Sequence, residues 1–336
     1  MFDGKTVAIT GGTGSFGKKF VETILARYRV DRLIVFSRDE LKQYEMQTRF
    51  PVSRYPALRF FIGDVRDEER LVEAFRGVQY VIHAAAIKHV PIAEYNPFEA
   101  IKTNVLGAQN VIRACIKNRV KAAVALSTDK AAAPINLYGA TKLCSDKLFV
   151  AANAMSGGPE PRFAVVRYGN VFGSRGSVVP LFLKQRDTGI LTVTDDRMTR
   201  FSITLQDGVD FVIRTMERMG GGGIHVPKIP SYRITDVAQA IAPGNPVNKI
   251  GIRPGEKLHE VMIPEDESWH TLEFDDHYLI LPSDAWSTRG RLLMNKGGIP
   301  CEQGFTYSSG TNKHFLSVNE LRVMVREGQQ QGVFGV

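Results

Sequence analysis

Ser127-Thr128-Asp129-Lys130, followed by Tyr138-Gly139-Ala140-Thr141-Lys142, sets two acid/base devices beside one another. A tyrosine and a lysine four apart lie on one face of a helix, the arrangement that holds a phenolate next to a positive charge. Such a pair can oxidise an alcohol. The Thr128-Asp129-Lys130 triplet follows the apolar run Ala122-Ala123-Val124-Ala125-Leu126. It therefore falls at the carboxyl end of a buried strand, where α/β enzymes build their sites. An oxidation pair with an additional acid and base of its own suggests elimination chemistry.

The elements that must position these groups are legible in the hydrophobic pattern. Lys5–Thr10, Arg32–Phe36, Leu58–Ile62, Tyr80–His83, the run before Ser127, and Ala164–Tyr168 read as strands. Lys18–Tyr28, Glu68–Arg76, Phe98–Lys117 and Tyr138 to about Ala154 read as helices. Strands alternating with helices of this length predict a Rossmann-type α/β fold, a doubly wound parallel sheet of six or seven strands by about residue 170, with a smaller C-terminal α/β domain. The boundaries expected are 1–170 for the cofactor-binding domain, with a segment around 197–220 returning to it, and 171–196 plus 224–330 for the substrate domain. Gly220–Gly223 reads as a helix-to-strand turn before Ile224-His225-Val226, and the stretch from Gly328 to Val336 as a frayed tail.

The chain has 336 residues, of which 43% are hydrophobic and 23% charged, as expected of a globular protein with a large core. No window approaches the ~18 apolar residues of a membrane helix, and Met1-Phe2-Asp3-Gly4-Lys5 carries no signal-peptide pattern. A cytoplasmic protein without a membrane partner is expected. Cys115, Cys144 and Cys301 are odd in number and widely spaced, which supports neither a disulfide framework nor a metal site and casts them as packing residues. The net charge of +8 is spread among acids with no basic run. It argues for anionic small ligands at specific sites and against nucleic acid.

Thr10-Gly11-Gly12-Thr13-Gly14-Ser15-Phe16-Gly17 supplies a Gly-x-x-Gly-x-x-Gly spacing between the first strand and helix. It allows a tight turn, close approach to a pyrophosphate, and an anion at a helix N-terminus. The second strand ends in Ser37-Arg38-Asp39, with Lys42 shortly after. An acid alone there would grip the ribose 2′-hydroxyl of NAD, whereas arginine with serine suits the 2′-phosphate of NADP. NADP is the expected cofactor, with Asp39 keeping NAD open. Asp64-Val65 is placed to contact the adenine edge, and Ala84 and Ala86, after the fourth strand, let the backbone pass close to the cofactor.

With Asn104 on the next helix and Tyr138-x-x-x-Lys142, these motifs resemble the extended short-chain dehydrogenase/reductase superfamily. More narrowly, Ser127–Lys142, Arg167-Tyr168-Gly169-Asn170-Val171, Ser174–Pro180, Arg197–Phe201 and Gly251–Glu260 resemble the inverting UDP-N-acetylglucosamine 4,6-dehydratases of the pseudaminic acid pathway, over roughly residues 1 to 280. The resemblance implies a lyase with tightly bound, recycled NADP. Tyr138 would take the proton of the sugar's 4-hydroxyl, with its pKa lowered by Lys142, and Asn104 would contact the cofactor. Lys130 would take the proton of carbon 5, Asp129 would protonate the departing 6-hydroxyl, and Thr128 would polarise the carbonyl. Retaining relatives carry glutamate where Lys130 stands. For Lys130 to act as a base its pKa must fall toward neutrality; otherwise it is merely a salt-bridge partner of Asp129. Lys88, Asn170, Arg175, Arg197, Arg200, Arg253 and Glu256 are the implied UDP-sugar contacts, and a homo-oligomeric dimer or hexamer serving a flagellin or other surface glycan is the implied setting. A retaining dehydratase or a 4-epimerase is the alternative, and a non-catalytic NADP-sensing scaffold the distant one.

Overall fold

The computed structural model describes residues 1–174, 177–283, 290–330, 332 and 334. Its first half alternates strands β1 (Thr6–Thr10), β2 (Arg32–Ser37), β3 (Leu58–Ile62), β4 (Tyr80–His83), β5 (Ala122–Thr128) and β6 (Arg162–Tyr168) with helices. These are α1 (Ser15–Arg27), α2 (Glu40–Arg49), α3 (Glu68–Ala74), α4 (Val90–Tyr95), α5 (Pro97–Ile101), α6 (Gly107–Lys117) and α7 (Leu137–Met155). The expected helix from Phe98 to Lys117 is α5 and α6 joined by a π-helical turn over Lys102–Leu106. Strand order is β3-β2-β1-β4-β5-β6, all parallel, the Rossmann-type arrangement.

Successive side chains of each strand point to opposite faces, so the strands feed two cores. Val7, Ile9, Val124 and Val166 pack with Phe20 and Ile24 of α1. Ala8, Val81, Ala123 and Val165 pack with Val111, Ile112, Phe149 and Ala152 of α6 and α7. Cys115 belongs to this second core, whereas Cys144 is exposed on α7 and Cys301 is half-buried; of the three expected packing cysteines, Cys144 is the exception.

Beyond β6 the chain forms β7 (Asn170–Val171), α8 (Val178–Arg186), β8 (Leu191–Val193), β9 (Thr199–Ile203), α9 (Leu205–Arg218), β10 (Ile224–Pro227) and β11 (Ser231–Arg233). Helix α9 returns to the first core through Val209, Val212 and Ile213, and Arg27 of α1 pairs with Asp210 at 2.6 Å. Only six strands of the large sheet precede residue 170. The seventh, β10, pairs parallel with β6, and Thr271–Glu273, His277–Ile280 and Ile299–Pro300 extend the sheet antiparallel to ten strands. Segments expected in a separate substrate domain from 224 onward thus hydrogen-bond into the main sheet. Ile224-His225-Val226-Pro227 is wholly buried, as a strand covered on both sides must be. A smaller core of Phe172, Val179, Phe182, Val193, Val237, Ile241, Leu321 and Val325 underlies the second lobe. Among the described residues no helix is long and apolar enough to cross a membrane.

The carboxyl ends of the parallel strands form one rim. Helix α7 is drawn against it because Gly139, in its first turn, has no side chain: a Cβ there would lie 2.1 Å from the Lys130 carbonyl. Asn136 caps the helix by accepting a hydrogen bond from the Gly139 N–H at 2.8 Å. At the end of β4, His83 is 1% exposed, its Nδ1 2.8 Å from Thr10 Oγ1 and its ring stacked on Phe149.

Burial, reinforced by the charge of Lys142, pulls the His83 pKa down to about 3. The folded protein therefore holds this imidazole neutral, and protonation favours the unfolded chain: the contribution is present above about pH 6.5 and lost as pH falls toward 3. Urea unfolding at pH 7 and pH 5 should show His83→Gln losing about 2 kcal/mol less stability over that interval than the parent protein. Equal losses in both would mean that His83 does not carry this pH dependence.

Candidate active site

The turn from β1 to α1 forms a cradle. Gly11 has φ +67°, and a Cβ there would meet the Ala85 backbone at 2.8 Å; at Gly17 it would lie 2.3 Å from the Gly12 carbonyl oxygen. Gly14 is the N-cap of α1 and provides no capping side chain, so Ser15 and Phe16 open a helix whose N-terminal dipole faces the turn. Thr13 Oγ1 and Ser37 Oγ are hydrogen-bonded at 2.8 Å, which links the cradle to the end of β2. Ala84 N–H bonds the Thr10 carbonyl at 3.2 Å, bringing the Ala84–Ala86 backbone against the same turn. A cradle emptied of Cβ atoms at a helix N-terminus fits the diphosphate of a dinucleotide.

Asp39 caps α2 by accepting from Lys42 N–H at 3.0 Å and pairs with Lys42 Nζ at 2.6 Å. Its side-chain hydrogen bond to Lys42 holds its carboxyl below the usual range. The acid that would grip a ribose 2′-hydroxyl is thus committed locally, while Arg38 is 60% exposed, 3.7 Å from Asp64. Burial would raise the pKa of Asp64, but its hydrogen bonds with Arg66 bring it below the ordinary value. Val65 is a core residue pressed on Gly107. Asn104, 1% exposed, accepts from Ile87 N–H and donates to the Ile87 carbonyl and to Thr141 Oγ1, at 2.8, 2.9 and 3.0 Å. Its amide is engaged by the protein on both sides, so in place of the expected cofactor contact it holds the loop that carries Lys88. Lys88 is accessible to solvent, yet partial desolvation and then the charge of Lys130 lower its pKa.

At the end of β5, a 3₁₀ turn over Asp129–Ala131 projects the triplet. Thr128 Oγ1 donates to Asp129 Oδ1 at 2.9 Å, and Lys130 Nζ donates to the same oxygen at 3.0 Å. Glu260, far away in sequence, places its Oε1 3.3 Å from Lys130 Nζ and 3.7 Å from Arg200 Nε. Burial works against the Lys130 charge, but Asp129 and Glu260 together outweigh both it and the opposing charge of Arg200, so the pKa stands above that of an ordinary lysine. The requirement that Lys130 be shifted toward neutrality is not met in the ligand-free protein. The ammonium is held by two carboxylates.

The expected effect of Lys142 on Tyr138 is also revised. Burial pushes the phenol up to about 12, and the groups that oppose it are the charge of Lys130 and a hydrogen bond with Thr128. Lys142, 3% exposed, has its own pKa lowered by burial, against the pull of Asp146. Gly139 lets α7 sit on the turn, and this makes Lys130 the cation that acts on Tyr138.

In the second lobe, Arg200 is nearly buried and donates to the Thr199 and Leu258 carbonyls at 2.7 and 3.1 Å. Asn170 Oδ1 and Glu256 Oε2 are buried acceptors with no partner among the described residues, open to a donor from a ligand. Arg253 is exposed. Arg197, 68% exposed, is bound to Asp195, two residues away, through two nitrogens at 3.0 and 2.8 Å. Arg175 lies outside the described residues. Sequence reading missed Glu260, although it ends a quoted motif, as well as Asp146 and Lys257, which donates to the Ala132 carbonyl at 2.7 Å. Among the described residues no cluster of three or more His, Cys, Asp or Glu could hold a metal ion.

A family model described as "Polysaccharide biosynthesis protein" matches residues 7–282. A Campylobacter jejuni protein named "UDP-N-acetylglucosamine 4,6-dehydratase (inverting)" is 56% identical over 327 residues, 96% of this chain and 97% of that protein. A Rickettsia canadensis protein named "UDP-glucose 4-epimerase" is 44% identical, covering 85% of each chain. The X-ray structure of Pen from Bacillus thuringiensis superposes with a TM-score of 0.87 at 36% identity, over 98% of this chain and 99% of that one.

The cradle generates a test. Gly11→Ala forces a left-handed conformation on alanine and presses its Cβ on Ala85, a strain of about 1–3 kcal/mol. Titration with reduced nicotinamide dinucleotides, followed by their fluorescence, should show affinity weakened about tenfold or more; unchanged affinity would remove this turn from the binding site.

Proposed function

Because the chain belongs to the polysaccharide biosynthesis protein family, we propose that it carries out inverting 4,6-dehydration of UDP-N-acetylglucosamine, with NADP as the recycled nicotinamide cofactor. It is a dehydratase. The observation that carries the stereochemical reading is Lys130 Nζ, 3.0 Å from Asp129, on the turn that packs against the first turn of the Tyr138 helix. The exposed Arg38 and the commitment of Asp39 to Lys42 support the 2′-phosphate of NADP.

Held by the Gly11–Gly17 turn and by Lys142, a nicotinamide cofactor would supply the hydride acceptor for carbon 4 and the hydride donor for carbon 6. Tyr138 takes the proton of the 4-hydroxyl, its phenolate stabilised by the Lys130 charge. Thr128 is the hydroxyl donor for the resulting ketone, which acidifies the proton on carbon 5. A proton passed from Lys130 to Asp129 along their hydrogen bond then yields an amine and a carboxylic acid. The amine takes the carbon 5 proton and the acid protonates the departing 6-hydroxyl, which leaves as water. The pair is again ammonium and carboxylate. As carbon 6 regains its hydride, carbon 5 takes on its opposite face the proton that Tyr138 removed from the 4-hydroxyl, so the balance is loss of one water.

Arg200, Arg253, Lys88, Asn170 and Glu256 are the proposed contacts to the UDP-sugar. A homo-oligomer belongs to this reading; the exposed Ile92, Tyr95 and Phe98 on α4 and α5 support it. A 4-epimerase needs only Tyr138 and Lys142 and leaves Asp129, Lys130 and Glu260 without a task.

Incubation with UDP-N-acetylglucosamine in deuterated water, followed by NMR, should give a dehydrated 4-keto sugar with deuterium at carbon 5 and inverted configuration there. Retained configuration, or no loss of water, would sink the inverting assignment. Lys130→Ala should lower dehydration at least about a hundredfold while NADP affinity is kept; full activity would take the lysine out of the mechanism.

A further inference from the structure

We propose that Glu260 is a positioning residue for Lys130, a second carboxylate that holds the ammonium at the strand end and sets how readily it gives up a proton. The proposal rests on the reading of Lys130 given above and extends it to a residue on a different segment of the chain. Glu260 precedes the short strand Val261–Ile263. Its backbone is fixed at both ends by Ser309: its N–H donates to Ser309 Oγ at 2.9 Å, and its carbonyl accepts from Ser309 N–H at 2.8 Å. Ser309 is itself fully buried and bonded to Thr199. The carboxylate therefore projects from an anchored backbone. It is 3% exposed, with Oε1 3.3 Å from Lys130 Nζ and Oε2 buried without a partner among the described residues.

The two acids act on the lysine from different directions. Asp129 is its immediate neighbour and moves with it on the 3₁₀ turn. Glu260 comes from a separate segment anchored to Ser309, whose next residues Met262 and Ile263 pack in the core that holds Ala123 and Ala125 of β5, so its distance to Lys130 reports the juxtaposition of the two segments. The other charged or titratable groups that face Lys130 are Arg200 from β9, Tyr138 from α7, Tyr232 from β11, Lys88 from the loop after β4, and Lys257 from the loop before Glu260. The two carboxylates, Asp129 and Glu260, favour its charged state, whereas Arg200, Lys88 and Lys257 oppose it. Removal of Glu260 leaves three cations against one carboxylate.

The sign follows. With Glu260 neutral, the charged form of Lys130 loses an attractive partner within about 4 Å, so deprotonation occurs at lower pH. The Glu260→Gln and Glu260→Asp proteins and the parent are labelled without ligand by acetic anhydride, which reacts with unprotonated amines. Mass spectrometry follows acetylation of Lys130 against pH. In Glu260→Gln the midpoint should fall by about 1 pH unit or more, while Glu260→Asp, which keeps the charge, restores most of the difference. A Lys130 midpoint in Glu260→Gln equal to that of the parent overturns the proposal, and so does an equal fall in Glu260→Asp, which would mean that the loss reflects disturbed packing and not charge. The assay needs no turnover. A Glu260-dependent midpoint in a protein that does not dehydrate UDP-N-acetylglucosamine would leave this clamp standing and remove the functional reading instead.

Discussion

The geometry of the site hangs on one buried guanidinium. Arg167, near the end of β6, is 0% exposed. It bonds Glu267 at 2.5 Å, the Met262 carbonyl at 2.9 Å and Asp146 of α7 at 3.4 Å. Asp146 in turn accepts from Ser127 Oγ at 2.8 Å, one residue before the Thr128-Asp129-Lys130 triplet. A single side chain thus joins the strand end that carries Asp129 and Lys130, the helix that carries Tyr138 and Lys142, and the segment that carries Glu260. Removal of one partner from a buried pair leaves an uncompensated charge and costs about 3–5 kcal/mol. The network lies beneath the Thr128-Asp129-Lys130 and Tyr138/Lys142 pairs and joins two residues of the quoted motifs, Ser127 and Arg167, to Asp146 and Glu267 outside them.

Above that network the arrangement depends on close approach. Gly139 allows the α7 backbone to rest on the Lys130 carbonyl, and Asn136, besides capping the helix, donates to the Gly255 carbonyl at 2.9 Å. The same residue that starts the tyrosine helix therefore also holds the loop that bears Glu256. This is why Tyr138 feels the charge of Lys130 more than that of Lys142. Both lysines are near the phenol in sequence terms, but Lys130 is brought up by the packing of turn on helix, whereas the charge of Lys142 acts on His83 and Asp146.

What was legible in the sequence was whatever is encoded locally. The strand–helix alternation, the glycine turn after β1 and the Thr128-Asp129-Lys130 and Tyr138/Lys142 pairs each carry their signal within a few residues, and the fold and the juxtaposition of the two pairs follow from them. Long-range pairing was not legible. That β10 would join the main sheet depends on which edge β6 leaves open, and the Lys130–Glu260 pair spans a separation that no periodicity reports. The direction of the Lys130 pKa was misjudged for the same reason: burial alone lowers a lysine, and the sequence shows one carboxylate beside it where the fold supplies two.

Four buried oxygens of the site have no partner among the described residues. A buried acceptor without a partner costs about 1–3 kcal/mol, and native proteins keep few of them. Asp129 Oδ2, Glu260 Oε2, Asn170 Oδ1 and Glu256 Oε2 are all in this state. Asp129 Oδ2 lies 3.5 Å from where a Cβ on Gly169 would be, one residue from Asn170, so two of the four share one corner. The other two belong to one short segment, 256–260. Had Lys130 been placed only to neutralise Asp129, as Lys42 neutralises Asp39 at the surface, a second buried acid would add desolvation without need. An acid–base site that must shuttle one proton among several acceptors, and then meet a ligand rich in hydroxyl and amide donors, requires unfilled acceptor capacity. The two carboxylates around one ammonium have the composition that such a shuttle demands.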